Sequence, residues 1–190
     1  MRIVSLSIVL TYLCILFWSG LAGAEEMVQL SGNHPSRIVG SPTGEIDPHR
    51  MLTMTITVKV RDPEGLNRLL SEQQNPNSPN YQKWLTPQEF SARFGPDPAQ
   101  FKAVRDWLIR QEFEIVSSNP DQRSITFRGR ADQAERVFNT KIMAYPGDSY
   151  ANVSDPYIPA RFAEVIGAIG GLDNMMRAVP ASHSTLRKSN

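Results

Sequence analysis

Residues 51–60 have the sequence Met-Leu-Thr-Met-Thr-Ile-Thr-Val-Lys-Val, and this stretch decides the fold. Its even positions are apolar: Leu52, Met54, Ile56, Val58 and Val60. The alternate positions are polar: Thr53, Thr55, Thr57 and Lys59. Successive side chains of a strand point to opposite faces, so this alternation, rich in β-branched residues, predicts a half-buried β-strand. One face of the strand lies on a core, and the threonines form its outward face.

Helix signals follow the strand at regular intervals. Asp62-Pro63 supplies an N-cap residue and a proline at the first helical position, which predicts an amphipathic helix over residues 63–74. Residues 75–80, rich in Asn and Pro, form a loop. Residues 86–89 are a capping box that begins a short helix, and Gly95-Pro96 ends it. The next helix begins at Asp97-Pro98, and its apolar side is formed by Phe101, Val104, Trp107 and Leu108.

Short strands fill most of the second half of the chain. They are predicted at residues 113–117, 123–128, 140–145, 149–153 and 167–172. Helices are predicted at 131–139 and, as a last short element, at 159–166. The order of the main elements is typical of a ferredoxin-like α+β fold, an antiparallel sheet with helices on one face. In this interpretation a helical insert follows the first helix.

The two ends of the chain have a different character from the middle. Arg2, an apolar run over residues 3–17 and Ala22-Gly23-Ala24 predict a secretory signal peptide over residues 1–24, and therefore a secreted protein, extracellular or periplasmic. The alternative is an uncleaved membrane anchor, for which residues 3–21 are only just long enough. Residues 25–50, rich in Gly and Pro, predict a flexible lead-in before a domain over residues 51–176. Residues 177–190 are small and polar and predict a flexible tail, a linker cut short.

Composition excludes several classes of function. Cleavage after Ala24 would remove the single cysteine, so neither disulfides nor thiol chemistry are expected. The 20 Lys and Arg residues would fall to 19 and equal the 19 Asp and Glu residues. These charges are interspersed, whereas nucleic-acid binding needs a clustered positive face. We therefore expect no nucleic-acid partner, and no membrane partner after cleavage.

The sequence lacks the motifs of a catalytic or metal site. It contains no G-x-S-x-G elbow, no H-E-x-x-H and no phosphate-binding loop. The histidines, His34, His49 and His183, lie in the lead-in and the tail, and none has ligand spacing to another histidine or a paired carboxylate. We expect a protein that is not an enzyme and that needs no cofactor or metal.

Two surface features have more than one interpretation. Tyr81 and Trp84 lie in a proline-rich loop, where they form either a contact surface or a cover over the helix beneath them. Residues 152–154, Asn-Val-Ser, have the form of an N-glycosylation acceptor, which matters only in a eukaryotic secretory pathway.

One continuous motif carries a family resemblance. Residues 78–90 have the pattern Ser-Pro-x-Tyr-x-x-Trp-Leu-Thr-Pro-x-Glu-Phe, and Trp107-Leu108, Ile125-x-Phe127-x-Gly129 and Val137-Phe138-x-Thr140 follow. This set resembles the activation domain, or propeptide, of the sedolisins, which are serine-carboxyl peptidases. The resemblance covers about residues 51–175. The motif positions are interpreted as mainly structural: Pro79, Tyr81, Trp84, Leu85, Thr86, Pro87, Glu89, Phe90 and Trp107.

The sequence departs from the family pattern in two respects. Members of the family often have glycine where Glu112 stands, at the end of the third helix. A glycine there would end the helix in the left-handed region at little cost, so Glu112 either takes another conformation or is strained. The family also continues into a catalytic domain with a Glu/Asp/Ser triad, which these 190 residues do not contain. Any peptidase activity would therefore belong to that domain.

The resemblance implies a mechanism and a partner. A sedolisin propeptide is a folding template and inhibitor that packs one sheet face on the peptidase, sends its C-terminal segment through the active-site cleft, and is released in acid. Here the contact face would be Thr53, Thr55, Thr57 and Lys59. The segment in the cleft would be about residues 177–190, with Arg177, His183 and Arg187. The partner would be a sedolisin-type catalytic domain, separately encoded or lost.

Two alternatives remain open at this stage. One is a remnant of a longer precursor, folded but without a partner and without activity. The other is a secreted binding module that kept the scaffold and changed its ligand, since fold does not fix function.

Overall fold

The computed structural model describes residues 25–36, 38, 40–120 and 123–175. The predicted signal peptide and the predicted tail, with Arg177, His183 and Arg187, lie outside these residues. In the described part the strands are β1 (Met27–Gln29), β2 (Gly44–Glu45), β3 (Met51–Val58), β4 (Glu114–Asn119), β5 (Ser124–Arg130), β6 (Ile142–Tyr145), β7 (Ser149–Asn152), β8 (Tyr157–Pro159) and β9 (Ile166–Gly170). The helices are α1 (Pro63–Gln74), α2 (Pro87–Phe94), α3 (Pro98–Arg110) and α4 (Ala131–Phe138), with a 3-10 helix at Ala160–Phe162.

The central sheet has four antiparallel strands in the order β4-β5-β3-β9. Strand β3 lies inside the sheet, and its residue Thr55 is opposite Thr126 on one side and Gly170 on the other. The apolar residues of β3 are at most 2% exposed: Leu52, Met54, Ile56 and Val58. This strand order, with β-α-β-β-α-β connectivity around it, confirms the predicted ferredoxin-like α+β fold.

The core lies between the sheet and helices α3 and α4. Trp107 of α3 packs its ring against Phe138 at 6.1 Å and against Phe162 at 5.7 Å between centroids. The buried cluster takes residues from both helices: Phe101, Val104, Trp107, Leu108, Ala131, Ala134, Val137 and Phe138. It takes none from α1 or α2. The insert is therefore α1 with α2, ahead of the helix that covers the sheet, and not after a first covering helix as the sequence predicted.

Helix α1 is exposed because its apolar side is small. Leu69 is 5% exposed, whereas Leu70 is 41% exposed. The amphipathic pattern predicted the helix and its bounds correctly, but it did not show which surface the helix covers. Helix α3 has the larger apolar side and takes the place on the sheet.

The segment 25–50, expected as a flexible lead-in, contributes two strands to the fold. Strand β1 pairs antiparallel with β8, and β2 pairs antiparallel with β6. Ile46 is 5% exposed within the core, and its N–H donates to the carbonyl of Ile142 at 3.2 Å. These strands have two or three residues and find partners about a hundred residues away, so no local periodicity announces them.

The predicted helix at 159–166 is reduced to the 3-10 helix and a turn. The carbonyl of Val165 accepts the N–H of Lys59 at 2.8 Å, just beyond the end of β3, and β9 begins at the next residue. Pairing with the extension of β3 commits the backbone of Val165 to the sheet, which stops the helix early.

Candidate functional site

The outward face of the central sheet is a surface of small polar side chains. Thr53 is exposed, and Thr55 and Thr57 are half-buried. Across the strands, Thr57 lies between Ser124 and Ala168. The helices of the core pack on the opposite face, so this face is left flat and without bulky groups.

Contacts across this face are few and weak. The hydroxyls of Thr55 and Thr126 are 3.1 Å apart, a hydrogen bond in either direction. Opposite Thr53 stands Arg128, whose guanidinium is 3.9 Å from a carboxylate oxygen of Glu114 on the edge strand. Charge is thus concentrated at one end of the face. The face lacks an activating base beside the hydroxyls among the described residues, so its chemistry is that of contact and hydrogen bonding.

Lys59 lies one residue beyond the end of β3. Its ammonium group donates to the carbonyl of Ala163 at 2.9 Å and is 3.8 Å from the carboxylate of Glu164. The side chain is therefore held against the turn that precedes β9, while Thr53, Thr55 and Thr57 lie within the strand.

The capping box of the family motif is confirmed. The hydroxyl oxygen of Thr86 accepts the N–H of Glu89 at 3.2 Å, and the carboxylate of Glu89 accepts the N–H of Thr86 at 2.8 Å. The hydrogen bonds from Thr86 lower the pKa of Glu89 below its ordinary value. Behind it, the rings of Phe90 and Phe94 are 5.8 Å apart, with Phe94 buried. Thr86, Pro87, Glu89 and Phe90 thus shape helix α2.

The loop before α2 holds two aromatic residues in solvent. Trp84 is 66% exposed and Tyr81 is 39% exposed, while Leu85 is half-buried. The loop itself is anchored by Gln73, 3% exposed, whose amide donates to the carbonyl of Lys83 at 2.6 Å. This exposure favours the contact-surface interpretation over a cover for the helix. Pro79 is likewise exposed, whereas the ninth motif residue, Trp107, lies in the core.

Sequence reasoning missed the carboxylate that holds the N-terminal arm, residues 25–36, to the domain. Asp155 accepts the N–H groups of Gly32 and Asn33 at 3.0 and 2.6 Å and contacts Nδ1 of His34 at 2.8 Å. The hydrogen bond with His34, together with these two N–H groups, holds the pKa of Asp155 below its ordinary value. Asn33 in turn accepts the N–H of Ile169 at 2.8 Å and so protects the edge of β9.

The glycosylation motif is closed in the folded chain. Asn152 is fully buried, and its Nδ2 donates to the carbonyls of Asn33 and Ser154 at 2.8 and 2.9 Å. The amide that would carry a glycan is therefore a core contact between the arm and strand β7.

The described residues hold no group of three or more His, Cys, Asp or Glu side chains that could bind a metal ion. Within the same residues, no helix is long and apolar enough to cross a membrane.

A helix-covered core and an open sheet face of small polar residues define this chain as an interaction domain of the ferredoxin-like class. The family model described as "Pro-kumamolisin, activation domain" matches residues 41–175. The chain belongs to this family, which is an activation domain and not a catalytic domain. The match confirms the resemblance found in the motif at residues 78–90, and it begins within the expected lead-in.

Three curated relatives illustrate the similarity. The chain is 29% identical to "Xanthomonalisin" of Xanthomonas sp. (strain T-22) over 142 residues, which are 73% of this chain and 17% of that protein. It is 27% identical to "Sedolisin" of Pseudomonas sp. (strain 101), covering 74% of this chain and 24% of that protein. It is 34% identical to "Tripeptidyl-peptidase 1" of Mus musculus, covering 72% of this chain and 25% of that protein. The chain thus aligns with a quarter or less of the length of these relatives.

Proposed function

We propose that this chain is a secreted propeptide that binds the catalytic domain of a sedolisin-type serine-carboxyl peptidase, assists its folding and inhibits it until acid releases the complex. The observation that carries the proposal is the open sheet face on a chain of the activation-domain family. A propeptide that dominates folding and inhibition needs a large, preformed contact surface, and a four-stranded sheet supplies one without ordering cost.

The contact face consists of Thr53, Thr55 and Thr57, continued by Lys59 at the end of the strand. Side chains this small let a partner approach close to the sheet, and threonine hydroxyls hydrogen-bond to polar groups without burying a charge. The neighbouring residues Ser124, Thr126 and Ala168 extend the same flat surface.

The segment after the domain occupies the active-site cleft of the partner. Its basic and titratable residues, Arg177, His183 and Arg187, give it positive charge in acid. The residues that lead into it, up to Met175, are held on the domain at the edge next to the contact face.

The test is inhibition of a sedolisin catalytic domain prepared without its own activation domain. We expect the chain to inhibit near pH 7 and to lose inhibition as the pH falls to about 3. Replacing Thr55→Lys and Thr57→Lys together should weaken inhibition roughly 10- to 100-fold, because two charges would be desolvated in the contact. The catalytic domains of the Xanthomonas and Pseudomonas relatives serve as probes.

The matched control is Gln74→Lys with Ala103→Lys, which adds the same charge on exposed helical positions. This control should inhibit like the unsubstituted chain. Equal inhibition by the Thr55/Thr57 variant would contradict the contact face, whereas no inhibition of either peptidase by a well-folded chain would favour the remnant or the binding module.

A further inference from the structure

The chain leaves the domain along a route that begins at the contact face. Gly170, the last residue of β9, is opposite Thr55, and Gly171 follows beside Thr53. Gly171 has a φ of +89°, and a Cβ atom there would lie 2.3 Å from the carbonyl oxygen of Thr53. Only glycine permits this turn against the strand. Leu172 then enters the core with 1% exposure.

Beyond Leu172, the route is fixed by Asn174. Its N–H donates to the carbonyl of Tyr150 at 3.0 Å, and its Oδ1 accepts the N–H of Tyr150 at 2.7 Å. Its Nδ2 donates to the carbonyl of Asp148 at 3.1 Å. Asn174 therefore pairs with the free edge of β7 in the manner of a one-residue strand, although the residue itself is exposed.

The surface that receives Asn174 is itself rigid. The guanidinium of Arg50 lies 4.9 Å from the centre of the Tyr150 ring and donates to both carboxylate oxygens of Asp148 at 2.6 and 2.9 Å. The hydroxyl of Tyr150 donates to the carbonyl of Gly171 at 3.3 Å. The hairpin, the start of β3 and the departing chain thus form one connected set of contacts. We call Asn174, Tyr150, Asp148 and Arg50 the exit clamp.

We propose that Asn174 is a positioning residue: through the exit clamp it sets the direction in which residues 176–190 leave the domain and so aligns them with the cleft of a peptidase bound on the contact face. This inference rests on the proposed function. Three hydrogen bonds on a residue with an exposed side chain contribute little to a core that Leu172 already closes. They do restrict the directions open to the following segment, which raises its effective concentration at a site beside the face.

The experiment separates positioning from stability by asking whether the effect of Asn174 depends on the segment that it positions. The full chain is produced with residues 1–24 in a secreting host, as the unsubstituted protein and as Asn174→Ala. Both are also made with residues 177–190 replaced by a Gly-Ser sequence of the same length. Inhibition constants are measured at pH 7 against the two catalytic domains named above, and Asn77→Ala, in an exposed loop, is the control.

We expect Asn174→Ala to weaken inhibition roughly 3- to 10-fold with the native segment, and less than 2-fold with the Gly-Ser segment, while the melting temperature of the chain stays unchanged. Equal losses with both segments would show a purely structural role and overturn the inference. Inhibition that does not change on replacing the segment would overturn it as well. Absence of inhibition by the unsubstituted chain would instead contradict the proposed function on which the inference rests.

Discussion

Glu112 occupies a backbone conformation that glycine adopts more easily. Its φ is +64°, in the left-handed region. The N–H of Glu112 donates to the carbonyl of Ile109 at 2.9 Å, and that of Phe113 donates to Leu108 at 3.1 Å. These are the two hydrogen bonds of a Schellman motif at the end of α3. The strain expected from the departure at this position is therefore present, and the helix end keeps its hydrogen bonds.

Replacing Glu112→Gly should stabilise the chain by about 0.5–1 kcal/mol. The left-handed conformation costs a residue with a Cβ about 1–2 kcal/mol, and the greater freedom of glycine in the unfolded chain offsets part of that gain. Urea unfolding followed by fluorescence of the buried Trp107 measures the difference. Glu112→Ala, which removes the charge but keeps the Cβ, should not stabilise, and a gain as large as that of glycine would contradict the strain argument.

At this scale the sequence predicts what is local and misses what is distant. The outward positions of Thr53 and Thr55 follow from alternation within one strand. The contact of Asp155 with Asn33 joins residues 122 positions apart, and Asn174 meets Tyr150 through a hairpin edge. Aspartate and asparagine are common in turns, so nothing in their neighbourhood distinguishes these residues from ordinary turn residues.

Helix α2 depends on its cap more than on its packing. Phe94 is its one fully buried residue, and the helix contributes nothing to the main core cluster. Elements with few buried contacts open locally, at a lower free energy than the whole domain. The cap formed by Thr86 and Glu89 therefore carries a large share of the local stability.

Replacing Thr86→Ala should lower the local opening free energy of α2 by about 1 kcal/mol, because the N–H of Glu89 loses its acceptor. Amide hydrogen exchange at residues 89–94 should become roughly fivefold faster, while exchange in α3 stays unchanged. Gln88→Ala, an exposed change in the first turn, is the control. Faster exchange throughout the domain would show that α2 is part of the global folding unit.

Element boundaries follow the strength of their local signals. Asp62-Pro63 and Asp97-Pro98 mark the starts of α1 and α3, and both side chains cap as expected. The helix predicted at 159–166 has no such cap, and long-range pairing of Val165 reduces it to a single turn. Strong caps thus resist tertiary context, whereas weak helical patterns yield to it.

The whole molecule is held by links between its sheets, and several of these links contain a carboxylate with a lowered pKa. The hydrogen bond with His34 lowers the pKa of Asp155 between the arm and β9, and the hydrogen bond with Arg50 lowers that of Asp148 beside β3. Asp148 is highly exposed, so solvent screens its ion pair, and Asp155, with 13% of its side chain exposed, contributes more. The arm is therefore the part of the fold most sensitive to acid.

These pKa directions fix the sign of the pH dependence. A carboxylate whose pKa is lower in the folded state stabilises the fold above its unfolded pKa, near 3.9, and this stabilisation is lost as the pH falls through the folded value. The free energy of unfolding should therefore change little between pH 7 and pH 5 from these groups and fall below about pH 4. Urea unfolding at pH 7, 5, 4 and 3 measures this.

Asp155→Asn should flatten the acid limb of that profile, whereas Glu164→Gln, a control at a side chain 95% exposed, should leave it unchanged. A fall of this kind would mean that acid loosens the domain itself, beginning at the arm. A profile that stays flat down to pH 3 would contradict the prediction. Any acid release of a partner would then have to come from carboxylates at the contact, and Glu114, paired with Arg128 at the charged end of the sheet face, would be the first to replace.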